Sequence, residues 1–255
     1  MIKVLSTLLV VIFLTLGFKG SFNKGNLYPE VENRVSPLPQ EVRLLLSQRF
    51  SYLAEGAQVY AFTSEDGKYV LKLFKGRHRK RLTPSRFWRR MTKSKEEKEV
   101  SQRKWRAKFA ATRRRYKEAF TNLKDETGLY YLHFHRTQTP LPVTLVDRYA
   151  FQIDLHTLPF IIQKRAEIAP DYFKRILRSG DATKLDQAIR SLKDLFATRL
   201  QKGYSDPRQS LSSNYGFIDD QAIQIDVGKI EPFDGDQGEE LTRIHNHVDA
   251  WLRSL

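Results

Sequence analysis

The alternation of hydrophobic and polar positions is clearest around residue 65, where it predicts a β-hairpin. Segments 58–62 and 68–74 are rich in β-branched and aromatic residues, and the sequence E-D-G at 65–67 between them is a strong turn signal. The second strand carries Lys72 between two leucines. Because an ammonium group buried without a partner is unfavourable, Lys72 is either an edge-strand lysine with its head group in water or a lysine with a functional partner.

The same patterns predict further strands and several helices. Strands are expected at 129–135, 143–146, 149–155 and 158–163, and in a second hairpin at 217–218 and 222–225. Helices are expected from about Lys93 to Leu123, which contains no Gly or Pro, and at 170–177 and 239–255. A further helix has one apolar stripe, which we assign to the core: Leu185, Ile189, Leu192, Phe196 and Leu200.

The N-terminus has the pattern of a targeting segment. Lys3 precedes an apolar run at 4–18, which is shorter than the roughly 20 residues that span a bilayer. Residues 1–20 are therefore predicted to be a secretory signal peptide or a short uncleaved membrane anchor. The chain is accordingly expected to be membrane-associated or secreted. Residues 21–42, with three prolines, are predicted to be a linker.

Composition bounds the class of protein. The chain has 255 residues, of which 40% are hydrophobic, enough for one medium domain or one two-lobed unit with a substantial core. It contains no cysteine, which excludes a disulfide framework and a thiolate metal site.

Positive charge is concentrated in one segment. Residues 75–117 contain 19 Lys or Arg and three Glu, a net charge of +16 against +15 for the whole protein. Basic residues with interleaved aromatics are typical of contact with a polyanion, such as nucleic acid or an anionic membrane surface. The alternative is a solvated helix that Glu96, Glu97 and Glu99 neutralise locally.

Oxygen-bearing side chains at both ends of the second hairpin are candidate magnesium ligands. Asn214 precedes the hairpin and Asp226 follows it, and Mg²⁺ takes a few protein oxygens together with phosphates. Asp206, further upstream, is a candidate proton acceptor for an attacking hydroxyl. The alternative is that all three are ordinary turn residues. His133 and His135 alternate on one strand and form either a metal pair or, as we favour, a packing pair.

The first half of the chain resembles the glycine-rich loop and strand lysine of protein kinases. The sequence L-A-E-G-A at 53–57, followed by a strand and then by V-L-K at 70–72, carries the likeness, although Gly56 is the only glycine left in the loop. By this resemblance Gly56 and Lys72 bind nucleotide phosphates. Glu118, late in the long helix, pairs with Lys72 and orients it. The backbone from Gln163 to Ala166 forms the hinge that binds adenine.

The second half resembles the kinase catalytic loop and D-F-G segment. The resemblance implies that Asp206 is the catalytic base and that Asn214 and Asp226, the latter in D-V-G at 226–228, hold magnesium. The sequence departs from the family pattern because Y-S-D replaces H-R-D at 204–206. Asn214 also lies eight residues after Asp206, where the family motif has about five. Only 27 residues follow Gly228, too few for an activation segment and peptide-binding helices.

The resemblance implies an α+β, two-lobed protein-kinase-like fold. Residues 43–163 are expected to form an N-lobe with an antiparallel sheet and the long basic helix, and residues 164–255 a reduced helical C-lobe. Two functions follow from it. The chain is either an atypical phosphotransferase that uses Mg-ATP on an unknown substrate, or an inactive pseudokinase or adaptor. In the second case the basic helix binds a polyanion or membrane surface.

Overall fold

The computed structural model describes residues 22–76 and 94–255, which fold as an α+β protein with a mixed sheet. The helices are a 3-10 turn at Lys24–Asn26, α1 (Gln40–Leu46), α2 (Lys95–Asn122), α3 (Lys124–Thr127), α4 (Ala169–Ser179), α5 (Ala182–Gln201) and α6 (Gln237–Leu252). The first strands are β1 (Glu32–Ser36), β2 (Arg49–Glu55), β3 (Val59–Ser64), β4 (Tyr69–Phe74), β5 (Leu129–His133), β6 (His135–Thr137), β7 (Pro142–Val146) and β8 (Ala150–Asp154). The remaining strands are β9 (Phe160–Lys164), β10 (Glu167–Ile168), β11 (Tyr204–Ser205), β12 (Tyr215–Ile218), β13 (Gln221–Gln224) and β14 (Glu231–Pro232).

The predicted first hairpin lies in the middle of a seven-stranded sheet with the order β5-β9-β4-β3-β2-β7-β8. Its strands pair antiparallel, whereas β2 and β7 pair parallel. The turn is stabilised by Asp66, whose Oδ1 accepts hydrogen bonds from the Ser64 hydroxyl and from the amide of Lys68 at 2.6 and 3.0 Å. Lys72 faces Ala61 on one neighbouring strand and Ile161 on the other. Lys72 is thus on an interior strand, and the edge-strand interpretation is wrong.

The long basic helix is confirmed as α2, and its first turn shows why it begins where it does. Ser94 and Glu97 form a capping box, in which each side chain accepts a hydrogen bond from the backbone amide of the other. The buried face of the helix includes Phe109, Tyr116 and Ala119, which pack against the main sheet. Helix α2 therefore lies against the sheet that carries Lys72.

Hydrophobic residues form two separate cores and a third between them. The first contains residues from Leu38 to Ile162, and the second contains residues from Ala169 to Val248. The third joins α2 and β5 to Val227 and Ile230, which follow the second hairpin. The segment D-V-G at 226–228 therefore lies where the sheet, the basic helix and the helical part meet.

Residues 22–42, which fall within the segment predicted as a linker (21–42), are packed against the sheet instead. Strand β1 pairs parallel with β6, and Tyr28 is only 5% exposed and stacks on Phe109 with ring centroids 3.9 Å apart. Its prolines are compatible with this order because they lie beside β1 and at the start of α1, where no backbone N–H is needed. A proline-rich composition was misleading here.

The predicted targeting segment, residues 1–20, lies outside the described residues. Within residues 22–76 and 94–255, no helix has both the length and the apolar character that crossing a membrane requires.

Candidate functional site

Lys72 reaches from the sheet to the second hairpin. Its Nζ donates a hydrogen bond to the backbone carbonyl of Ile225, 153 residues away, at 2.5 Å. Burial lowers the pKa of Lys72 from its usual 10.5 to about 8, and the negative charge of Asp226 partly opposes this effect. The partner that a buried lysine needs is therefore the end of β13.

Asn214 and Asp226 are brought together at the open end of the hairpin. The carbonyl of Asn214 accepts hydrogen bonds from the amides of Ile225 and Asp226 at 2.7 and 3.4 Å. The Asp226 carboxylate is exposed, and its Oδ1 accepts the amide of Gly228 at 2.9 Å. The side chain of Asn214 is largely buried, and its Oδ1 accepts the Ser213 hydroxyl at 2.9 Å. Asn214 and Asp226 thus both lie beside Ile225, the residue whose carbonyl Lys72 contacts.

Asp206 belongs to the same site but is enclosed. It is 0% exposed, and its two carboxylate oxygens accept hydrogen bonds from the Arg208 amide at 2.9 Å and from Gln224 Nε2 at 3.0 Å. The same Gln224 amide donates to the carbonyl of Asp226 at 3.1 Å. One glutamine therefore links the two aspartates that the sequence places 20 residues apart.

A buried arginine supports this arrangement and was missed in the sequence. Arg199 Nη1 donates to Gln224 Oε1 at 2.7 Å and to the Tyr215 hydroxyl at 3.0 Å. Tyr215 in turn donates to Gln209 Oε1 at 2.8 Å, and burial raises its pKa to about 12. The signal was available, because Arg199 falls on the apolar stripe of α5, three residues after Phe196. A cation in that position requires buried polar partners.

The predicted pairing of Glu118 with Lys72 is not formed. Glu118 pairs with Arg114 at 3.7 Å. Tyr116 faces the site, and its pKa is raised by burial and by the Asp226 charge. Glu118 lies two residues after Tyr116, which corresponds to a rotation of about 200° around the helix axis. Glu118 is therefore turned away from the sheet. Glu126, in α3, pairs with Lys202 at 2.6 Å.

Instead of a glutamate, the inner face of α2 presents an arginine to the D-V-G segment and a threonine to Gln58. The Thr112 hydroxyl lies 3.2 Å from Gln58 Oε1, and Arg115 Nη1 donates to the Gly228 carbonyl at 3.3 Å. Arg115 also forms an ion pair with Glu231. These contacts hold the segment that carries Asp226 against the helix.

The loop that contains Gly56 projects over this region and is exposed. Lys75 anchors it, since its Nζ donates to Glu55 Oε2 at 2.7 Å and to the Gly56 carbonyl at 2.8 Å. No described atom lies within 4 Å of the position that a Cβ on Gly56 would occupy. The space next to Gly56 is therefore open, as a phosphate-covering loop requires.

The predicted hinge lies beside the second hairpin. The Gln163 side chain is buried and donates to the Thr127 carbonyl at 2.5 Å, so any nucleotide contact at this residue falls to its backbone. A Cβ on Gly216 would lie 2.6 Å from the Glu167 carbonyl oxygen and 2.9 Å from the Ala166 Cβ. Glycine at 216 thus permits the close approach of the hairpin to the hinge. Nucleotide binding by Gln163 and Ala166 stays a prediction.

The oxygen atoms near the hairpin suit a hard cation. Among the residues that the structure describes, no group of three or more His, Asp or Glu side chains is arranged to hold a metal. Asp226 Oδ2 accepts no hydrogen bond from the described residues, and Asn214, whose backbone carbonyl accepts the Asp226 amide, also carries an amide oxygen. Two protein oxygens completed by water and phosphate are the usual environment of Mg²⁺ with a nucleotide.

The two histidines, His133 and His135, pack against each other, with ring centroids 4.7 Å apart. His133 is 0% exposed and stacks on Phe160 with centroids 4.5 Å apart. Neither of its ring nitrogens has a hydrogen-bond partner among the described residues. Burial lowers its pKa from 6.5 to about 4, so His133 is neutral near pH 7.

Comparisons with known proteins give only a distant likeness. No family model matches the chain, and no curated protein matches it. The 2.2 Å crystal structure of WbdD is similar with a TM-score of 0.41 and 12% identity, over 78% of this chain and 37% of that one. A structure of the bifunctional kinase-methyltransferase WbdD gives a TM-score of 0.38 and 15% identity, over 76% of this chain and 34% of that one. WbdD in a co-crystal with the kinase inhibitor LY294002 gives a TM-score of 0.35 and 15% identity, over 71% of this chain and 33% of that one. The chain spans about a third of the length of these proteins. These three structures, one of which is described as a bifunctional kinase-methyltransferase, are similar to this chain only at a low level.

Proposed function

We propose that the chain is an atypical phosphotransferase with a two-lobed kinase-like fold, which binds Mg-ATP between its sheet and its helical part. The observation that carries the proposal is the hydrogen bond of 2.5 Å from Lys72 to Ile225, next to the exposed carboxylate of Asp226. It brings together a strand lysine and a hairpin aspartate that are remote in sequence. A cation beside exposed oxygen ligands is the arrangement that phosphate and magnesium require.

In this proposal each polar group has a separate task. Lys72 holds nucleotide phosphates, whose negative charge favours the protonated lysine and opposes the burial that lowers its pKa. Asn214 and Asp226 hold magnesium, which supplies neutralisation of charge on the phosphate oxygens. The carbonyl of Ile225 orients Lys72 in place of Glu118. Asp206 accepts the hydroxyl proton once its carboxylate is uncovered.

Thermal melts with ATP, with and without magnesium, test nucleotide binding. A ligand at 100 times its dissociation constant stabilises the native state by about 2.7 kcal/mol. We expect a magnesium-dependent rise in melting temperature that Lys72→Met abolishes. Lys68→Met is the matched control, because Lys68 is an exposed lysine of the same hairpin. No magnesium-dependent shift in the wild-type protein would contradict the proposal.

The second candidate function is a pseudokinase or adaptor, and the burial of Asp206 favours it. Both Asp206 oxygens accept hydrogen bonds and the side chain has no exposed surface. A base in that position does not meet an acceptor hydroxyl unless the loop moves. Phosphate release from ATP distinguishes the two functions: binding without any turnover supports the adaptor, and turnover that Asp206→Asn lowers supports the enzyme.

A further inference from the structure

Three cations lie on segments that meet at the proposed phosphotransfer site, and its chemistry as described does not use them. Lys108 lies on α2, one turn before Thr112, whose hydroxyl donates to the Lys108 carbonyl at 2.9 Å. Lys229 directly follows Gly228. Arg208 is two residues after Asp206 and donates its amide to that carboxylate. We call Lys108, Arg208 and Lys229 the cationic cluster.

Contacts between elements bring the cluster together. Thr112 and Gln58 share a hydrogen bond at 3.2 Å. The Cα of Gly228 faces the same Gln58, since a Cβ there would lie 3.2 Å from Gln58 Oε1. Lys229, the residue after Gly228, therefore lies on the side of α2 that carries Lys108. The positive charges of Lys229 and Arg208 lie close enough to add to the effect of burial in lowering the pKa of Lys108.

None of the three cations forms an ion pair within residues 22–76 and 94–255. Neighbouring cations of α2 differ in this respect: Arg106 pairs with Glu30 and Arg113 with Glu32. Lys108 does lie over the Trp105 ring at 5.2 Å, which does not remove its charge. Neighbouring like charges that have no ion-pair partner repel each other, and a bound anion reduces that repulsion.

We propose that the cationic cluster binds an anionic group of the phosphate acceptor, of the phosphate monoester class, beside the hydroxyl that is phosphorylated. This inference rests on the proposed function and names its substrate class. Arg208 and Lys229 follow Asp206 and the D-V-G segment, which places the cluster next to the proposed base and metal ligands. Lys72 lies on a different element, strand β4, and under the proposed function it holds the nucleotide phosphates. Arginine with two lysines suits a dianionic oxygen group, which accepts several charge-assisted hydrogen bonds.

Binding of inorganic phosphate tests the cluster without a nucleotide. Titration calorimetry on the full chain is run with the wild type, Lys108→Gln, Lys229→Gln and Lys104→Gln. Lys104 is an exposed lysine on the same helix, one turn before Lys108, and is the matched control. Loss of one charge-assisted hydrogen bond corresponds to roughly a tenfold rise in the dissociation constant. We expect that rise for the two cluster variants and no change for Lys104→Gln.

A Lys72→Met variant separates this inference from the proposed function. Phosphate binding that survives in Lys72→Met and weakens in Lys108→Gln supports the cluster. Phosphate binding that is lost in Lys72→Met and unaltered in Lys108→Gln overturns it, because the anion then sits at the nucleotide site. The magnesium-dependent ATP shift of the wild type is a separate measurement, so failure of either proposal is visible on its own.

The source of the monoester is distinguished by two further probes. Glucose 6-phosphate represents a soluble acceptor, and phosphatidylcholine vesicles with phosphatidic acid represent a lipid headgroup. Weakening of either interaction by Lys108→Gln, with Lys104→Gln unaffected, identifies the source and supports the cluster. Equal weakening by both variants indicates non-specific attraction to basic α2 and overturns it.

Discussion

Replacing Lys72 by methionine is expected to stabilise the protein without ligand while removing nucleotide binding. In the native state the pKa of Lys72 is about 8, against 10.5 in the unfolded chain. The unfolded state therefore binds more protons between these pH values, and stability rises with pH across this window. The difference in pKa corresponds to about 3 kcal/mol of unfavourable free energy at neutral pH.

Methionine avoids that cost but also loses the hydrogen bond to Ile225, worth about 1 kcal/mol. The net gain for Lys72→Met is then about 2 kcal/mol at neutral pH; it falls as pH rises and becomes a loss of up to about 1 kcal/mol at and above pH 10.5, where only the lost hydrogen bond remains.

Urea unfolding of both proteins at several pH values between 7 and 10 measures this difference directly, at roughly constant m-value. Tyrosines of the unfolded chain also titrate at the upper end, but they are present in both proteins and cancel in the difference. A variant less stable than the wild type at neutral pH, or a difference that does not change with pH, would refute the account of Lys72 as a buried cation.

Three further predictions concern the hinge, the buried histidine and the basic helix. Gly216→Ala is expected to lower the free energy of unfolding by about 1–3 kcal/mol, because its Cβ meets backbone at the hinge; chemical denaturation measures it, and a neutral effect would contradict the close contact. His133→Leu is expected to reduce the fall in the free energy of unfolding as pH drops from 6.5 to 4. In that window His133 is protonated in the unfolded chain and not in the native state. A pH profile of chemical denaturation that the substitution leaves unchanged would contradict this prediction. Neutralising Arg103 is expected to reduce the salt slope of binding to a short DNA duplex by about 1, and neutralising Arg113, which pairs with Glu32, by less; a slope that Arg103 does not change, measured by fluorescence anisotropy, would show that this face is merely solvated.

Local patterns predicted most elements of the fold because they depend on neighbouring residues. The hairpin at 58–74, the uninterrupted helix near 93–123 and the apolar stripe of α5 all appear within a few residues of their predicted limits. The packing of residues 21–42 was not predictable in this way. Strand β1 acquires its partner, β6, only when the chain folds back over a distance of about 100 residues.

The candidate site was predicted in part, for a similar reason. Motif order was enough to select Lys72 and Asp226, which the fold brings together. It failed for Glu118, because a two-residue difference in helical phase decides which side chain faces the sheet. It also gave no sign that Asp206 would be buried, since that depends on Gln224 and Arg199 from other elements.

The central claim is that Asp226 and Lys72 form a magnesium-dependent nucleotide site. Calorimetric titration of ATP into the wild type, with magnesium and then with chelator, tests it together with Asp226→Asn and the control Asp219→Asn. Asp219 is an exposed carboxylate in the turn of the same hairpin, with a positive φ that asparagine also adopts. The account predicts binding that requires magnesium, is lost in Asp226→Asn and persists in Asp219→Asn. Binding of equal strength with and without magnesium, or in all three proteins, would contradict it.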